Sequence, residues 1–217
     1  MRIIFRSLFV LVFLIIISVS YLSIFGIETD KFNNQIYNKI KDIHKDIDVE
    51  LKKIKIVLDP FKLKLNIKTV GSKLKSQNEN IEIENIKTQI SLKSLVENKF
   101  LIENLEISTK SLEIKNLISF VRSFQNTPEL FVLEKIIKKG FLIADIKLEF
   151  DSKGKIKDNL EISGFIKDTK FSIFKKYDIQ KLDLRFKYKK NNLSLGNMVL
   201  SLNDLNFLSE NILFKKD

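Results

Sequence analysis

The side chains that could carry out chemistry in this sequence are few and badly placed for it. There is one histidine, His44, between Ile43 and Lys45. A metal site needs several convergent ligands, and the chain offers no second histidine and no cysteine. The lack of cysteine also rules out disulfides and thiol nucleophiles. Serines are common, yet none stands in a Gly-x-Ser-x-Gly turn, and no pairing with His44 is indicated. The 6 glycines are isolated, so no phosphate-cradling loop is present. Glu82 with Glu84, and Asp145 with Glu149, are carboxylate pairs only as alternating charges along a strand. His44 reads as a solvated helix residue. The expectation is a non-enzymatic protein with no catalytic residues, cofactor or metal.

Charge gives the next constraint. Lys and Arg number 38 against 27 Asp and Glu, a formal charge of +11 and a pI near 9.6. Such a balance attracts phosphate, in nucleic acid or in anionic lipid headgroups. Lysine is enriched together with Ile and Asn and spread along the whole chain, which also fits a plain compositional bias. Lys187-Tyr188-Lys189-Lys190 faintly resembles a basic, stacking surface. An exported protein would seldom meet nucleic acid, and none is expected as a partner.

Export follows from the first segment. Arg2 and Arg6 precede 21 residues without a charge, SLFVLVFLIIISVSYLSIFGI, from Ser7 to Ile27. As a helix this run spans roughly 30 Å, the thickness of a hydrocarbon core. Tyr21 and Phe25 suit an interfacial level, and Glu28 and Asp30 follow. The positive-inside rule then puts the N-terminus in the cytoplasm and the body outside, on a single span. The alternative is a signal peptide cleaved near Ser18-Val19-Ser20. Both readings export the body.

The elements beyond the anchor fall into four stretches: an amphipathic helix at 28–47, a first β section at 48–115, a helical insertion at 116–140 and a second β section at 141–217. Phe32, Ile36, Ile40, Ile43 and Ile47 recur at spacings of three and four over Thr29–Ile47, giving one apolar stripe. That stripe packs on the following sheet or lies on the membrane surface. From Asp48 the period becomes two. Phe61, Leu63, Leu65 and Ile67 alternate with Lys62, Lys64 and Asn66, as in a strand greasy on one face. Further strands are expected at Val49–Leu58, Ile81–Ile83, Ile86–Leu92, Phe100–Ile107 and Leu112–Ile114. The phrases IEIENIKTQISL and LIENLEISTKSLEI look like one unit repeated, a strand, a Glu-Asn corner and a second strand. Leu117–Phe124 reads as helix. Thr127 as cap, Pro128 at the first position and Gly140 as stop frame a second one. Strands resume at Phe141, with a DSKG turn at Asp151–Gly154. Leu182, Leu184, Phe186 and Tyr188 then form a hairpin through KKNN with Leu193 and Leu195. No closing strand is evident in NILFKKD, so the chain reads as the membrane end of something longer.

Several passages carry a resemblance: the N-terminal span, FNNQIYNKI, DVELKKIKIVLDPFKLKLNIKTV and ENIEIENIKTQISLKSLVENKFLIENLEISTKSLEI. They resemble, over roughly residues 8–120, the N-terminal module of the AsmA/TamB-like superfamily of bacterial bridge-like lipid-transfer proteins. LDLRFKYKKNNLSLGNMVLSLNDLNF looks like further strands of that kind. The resemblance implies a mainly β fold with minor α, a transmembrane helix followed by a curved antiparallel sheet or open groove, and one or two short helical interruptions. It implies an inner-membrane protein with a periplasmic body, engaged in phospholipid transport or envelope biogenesis, with phospholipid acyl chains as partners. The one-sided strands nominate Phe61, Leu63, Leu65, Ile67, Leu182, Leu184 and Phe186 to face lipid. A closed hydrophobic core would use the same pattern. An assembly factor holding other envelope proteins through an open sheet edge is the alternative function.

Overall fold

In the computed structural model, residues 2–97, 101–151, 155–173 and 176–215 are described. The chain opens with α1 (Arg2–Ile24), which contains the one helix long and apolar enough to cross a membrane among the described residues, Ile3–Ile24. Then come β1 (Ile27–Thr29), α2 (Asn33–Ile43), β2 (Asp48–Glu50), β3 (Ile54–Asp59), β4 (Lys64–Val70), β5 (Lys73–Ser76) and β6 (Glu79–Ser91). Next are α3 (Leu92–Val96), β7 (Ile102–Thr109), β8 (Leu112–Glu113), α4 (Ile114–Arg122) and α5 (Pro128–Ile136). Long strands complete it: β9 (Ile137–Glu149), β10 (Glu161–Ile173), β11 (Tyr177–Lys189), β12 (Asn192–Leu202) and β13 (Leu205–Lys215). They make one open antiparallel sheet of 13 strands in the order β1-β3-β4-β6-β7-β9-β10-β11-β12-β13. Off that path, β2 pairs with β5, β5 with β6, and β8 with β9. The fold is mainly β with short helices, as the alternating pattern predicts.

The stripe on α2 packs on the sheet: Ile36 and Ile40 are buried in the core with Ile54, Ile67, Ile83, Ile86 and Ile90. Tyr37 donates to Asp48 at 3.0 Å and Lys41 pairs with it at 2.5 Å, tying the helix to β2. The helix is shorter than its stripe, because Ile27–Thr29 is drawn into the sheet beside β3. From the other side α4 contributes Phe120 to the same core, with Leu117, Val121 and Phe124 against it. The cap at Thr127 forms as expected, its hydroxyl accepting from the Leu130 N–H at 3.4 Å. Ser119 donates to Glu134 at 2.7 Å and Arg122 pairs with the same carboxylate, joining α4 to α5.

Four expectations need correction. The strand read at Phe61–Ile67 begins at Lys64; Phe61 and Leu63 lie in the turn before it. Val49–Leu58 divides into β2 and β3, which pair with different partners. The Glu84-Asn85 corner does not divide the strand: β6 continues through it for 13 residues, with an irregularity between Ile83 and Asn85 where its partner changes from β5 to β4. Gly140 does not stop a helix. It sits inside β9 at φ +155, where a Cβ would come within 2.5 Å of the Thr169 hydroxyl and 2.9 Å of Ile114. Ser152–Gly154 of the expected DSKG turn, Phe100 of the expected Phe100–Ile107 strand and the side chain of Ile43 lie outside what is described.

Candidate functional site

The two hairpins that end the chain show how its longest apolar surface is built. Lys189 pairs with Asn192 across Lys190 and Asn191, both left-handed at φ +48 and +61. Leu202 pairs with Leu205 across Asn203 and Asp204, at φ +44 and +69. Two consecutive left-handed residues make the two-residue turn whose twist matches that of its strands. Each turn fixes register, and register decides which face every side chain takes.

With register fixed, cross-strand partners form rows on one face of the sheet. Ile107 pairs with Ile146, Ile146 with Ile162, Ile162 with Tyr188, Tyr188 with Leu193 and Leu193 with Phe214. A parallel row runs Ala144, Gly164, Phe186, Leu195, Ile212. Gly164 is needed here because a Cβ on it would collide with the Ile143 carbonyl of β9, and it would also stand 3.0 Å from the tip of the Phe186 ring. A third row holds Leu182, Leu200 and Phe207, and a fourth Ile179, Leu202 and Leu205. Six strands at about 4.8 Å spacing give such a row a length of about 24 Å. One acyl chain reaches about 15 Å, half a hydrocarbon core.

What covers this face changes along the sheet. Over β3–β7 it is closed by α2 and α4, and Ile54, Ile83 and Ile90 are fully buried. Of the helices, α4 packs on β6 and β9 and α2 beside β2, with α5 reaching β9 and β10. Beyond, the cover thins: on β11 Ile179 and Leu184 are still buried, Leu182, Phe186, Leu193, Leu195 and Leu200 are half-buried, and Leu205, Phe207 and Phe214 are exposed.

The opposite face is polar. Gln89 donates to Asn66 at 2.9 Å, and Asn104 to Gln89 at 3.2 Å, in a ladder across three strands. Glu161 takes Lys187 at 2.9 Å and Lys189 at 2.7 Å, and these two ammonium groups, Lys189 foremost, hold its carboxyl at about 2. Apolar side chains interrupt it at a concavity of about 510 Å³ whose lining includes Phe141, Ile143, Phe165 and Arg185, the Arg185 guanidinium lying 5.0 Å over the Phe165 ring, and at exposed Leu208 and Leu213 on β13.

The seven residues nominated from sequence do not form one site. Leu65 and Ile67 share the apolar face of β4, but Ile67 is buried between Ile56 and Thr88. Leu182, Leu184 and Phe186 lie on the apolar face of β11, with Leu184 buried. Phe61 and Leu63 stand apart in their turn. NILFKKD, where no closing strand is expected, supplies Asn211–Lys215 of β13 paired along β12, and Asn203-Asp204 between LSL and LNF carries the turn signal. His44 packs its ring 4.8 Å from that of Phe124, and no cluster of three potential metal ligands exists among the described residues.

The chain matches no family model, no curated protein and no solved structure. The uncovered apolar face of β11–β13 is therefore the feature on which a function has to rest.

Proposed function

We propose that this is a membrane-anchored, non-enzymatic lipid-handling protein of the AsmA/TamB-like kind. In this reading α1 stays in the inner membrane with its N-terminus in the cytoplasm, and the periplasmic sheet shelters phospholipid acyl chains on its uncovered face. The observation that carries the reading is the continuation of one apolar face from a covered core onto strands that no helix packs over. Each methylene moved from water onto such a surface gains up to about 0.8 kcal/mol, so a chain of ordinary length is held without any specific contact. Rows without a polar interruption let that chain slide, and the headgroup stays at the margin, where lysines meet its phosphate. Transport toward the outer envelope would follow from a surface that binds firmly and nowhere in particular.

One observation favours a second reading. Among the described residues β13 pairs with β12 alone, leaving eleven residues of strand edge for another chain to join. A photo-crosslinking residue at Leu182, Leu195 or Phe207 in living cells separates the two. Phospholipid adducts support lipid handling and protein adducts support an assembly role. An absence of adducts at all three positions would sink both.

A further inference from the structure

We propose that the β3–β4 turn is a second membrane contact, its Phe61 and Leu63 inserted into the interface of the bilayer that α1 spans. This rests on the reading of α1 as a retained span. The turn holds the most exposed large apolar side chain of the body: Phe61 is 98% exposed and Leu63 62%. Neither is left out by looseness. Pro60 restricts the backbone, and the Asp59 carboxylate accepts the Lys62 N–H at 3.0 Å. The Leu63 carbonyl accepts the Leu92 N–H at 2.9 Å from the start of α3. Leu63 itself is left-handed at φ +51. Of the eight non-glycine residues with positive φ among those described, it alone is apolar; the others are Asn, Asp, Gln and Lys. Asparagine or glycine would take that conformation more cheaply, so a leucine there is strained for the sake of its side chain.

The position of α1 names the occupant. Ile27 pairs with Ile56 and Thr29 with Ile54 in antiparallel sense, so the chain runs back from β1 into α1 toward the Asp59 end of β3. That is the end closed by the Phe61 turn. Gly26, at φ +70, fixes the junction, because a Cβ there would collide with the Ile56 carbonyl. Val19, Leu22 and Ser23, on one side of the last turns of α1, are partly buried, while the helix before them is exposed. The apolar turn therefore stands beside the end of the span, at the level where Tyr21 and Phe25 stack at 5.2 Å. Lys62 between the two apolar residues is 70% exposed and can carry its ammonium up to the phosphates. Val96, 84% exposed, lies one turn along α3 from Leu92, whose N–H meets the Leu63 carbonyl. An interfacial ring, a snorkelling lysine and an adjacent span are the parts of a membrane contact. It would fix which end of the sheet meets the bilayer.

The chain has no tryptophan, so single substitutions report without background. F61W, Y21W and L208W, the last on β13, are each placed in the full-length chain. Each is reconstituted in vesicles of phosphatidylcholine and phosphatidylglycerol at 3:1 containing acyl-brominated lipid. We expect lipid bromine to quench F61W and Y21W several-fold more than L208W, with aqueous iodide showing the reverse order. Quenching of Y21W without F61W would overturn the inference and leave the anchor standing. Quenching of neither would remove the anchor and the inference together. Equal quenching of all three would mean adsorption without orientation and would also overturn it. An F61W shielded from iodide but untouched by bromine would indicate a protein partner, again against the proposal.

Discussion

The two halves of the sheet use the same alternation for opposite ends. In β3–β7 the apolar face meets α2 and α4 and closes into a core where Ile54 is 0% exposed. In β11–β13 a face of similar composition meets nothing of comparable size, and Leu205 is 62% exposed. The difference does not lie in the strands. It lies in whether the neighbouring sequence supplies a helix with an apolar stripe, as FNNQIYNKI does and as nothing after Ile136 does. An apolar strand face is thus only a demand for cover; in the second half, the proposal is that lipid meets it.

The contrast can be broken first where its energy is greatest. Ile54→Ala removes buried methyl groups from a closed core and should cost 2–5 kcal/mol, in the range of such truncations, read by urea denaturation. Leu205→Ala should cost under about 1 kcal/mol in the same assay, since its side chain is already in water. Equal losses would mean that the far face is covered after all. Gly140→Ala tests the seam between the halves, where β9 crosses α4 and β10. The crowding against Thr169 and Ile114 should cost about 1–3 kcal/mol, checked by the same denaturation.

A smaller effect distinguishes the polar face of the second half. Glu161 is held at about 2 by Lys189 and Lys187, below its ordinary 4.5. A lowered carboxylate stabilises the fold above its unfolded value and loses that contribution as pH falls through its folded value. Both lysines are half exposed, so water screens the pair and about 1 kcal/mol is expected. Glu161→Gln should therefore be less stable than the parent at pH 7. The difference should shrink between about pH 4.5 and 2 in pH-dependent melting. A constant difference would show that the carboxylate's charge is irrelevant.

How much of this was legible in the sequence depended on what kind of signal each element carries. The β11–β12 hairpin was readable because Leu182, Leu184, Phe186 and Tyr188 alternate cleanly and Lys-Asn fits a tight turn. The cap at Thr127-Pro128 was readable because its chemistry is local. Phe61 and Leu63 were misassigned since alternation is the same in a strand and in the turn that leads to it; Asp59-Pro60 was the local clue. Gly140 reads as a helix stop in sequence, while its cause is long-range contact with Thr169. β6 reads as two strands because Glu84-Asn85 marks a real irregularity, the point where its partner changes from β5 to β4, yet pairing with β7 on both sides of it keeps one strand. The covered and uncovered halves could not be told apart at all, because cover is a property of tertiary contacts.

The central claim concerns one face of one strand, and adjacent residues test it. Leu195 lies on the apolar face between Phe186 and Ile212; Ser194 lies on the polar face, donating to Asn211 at 3.1 Å. Tryptophan placed singly at each position in the full-length, vesicle-reconstituted protein should respond differently to acyl-brominated phospholipid. The account predicts strong quenching of L195W and little of S194W. Equal quenching, or none at L195W, would contradict it.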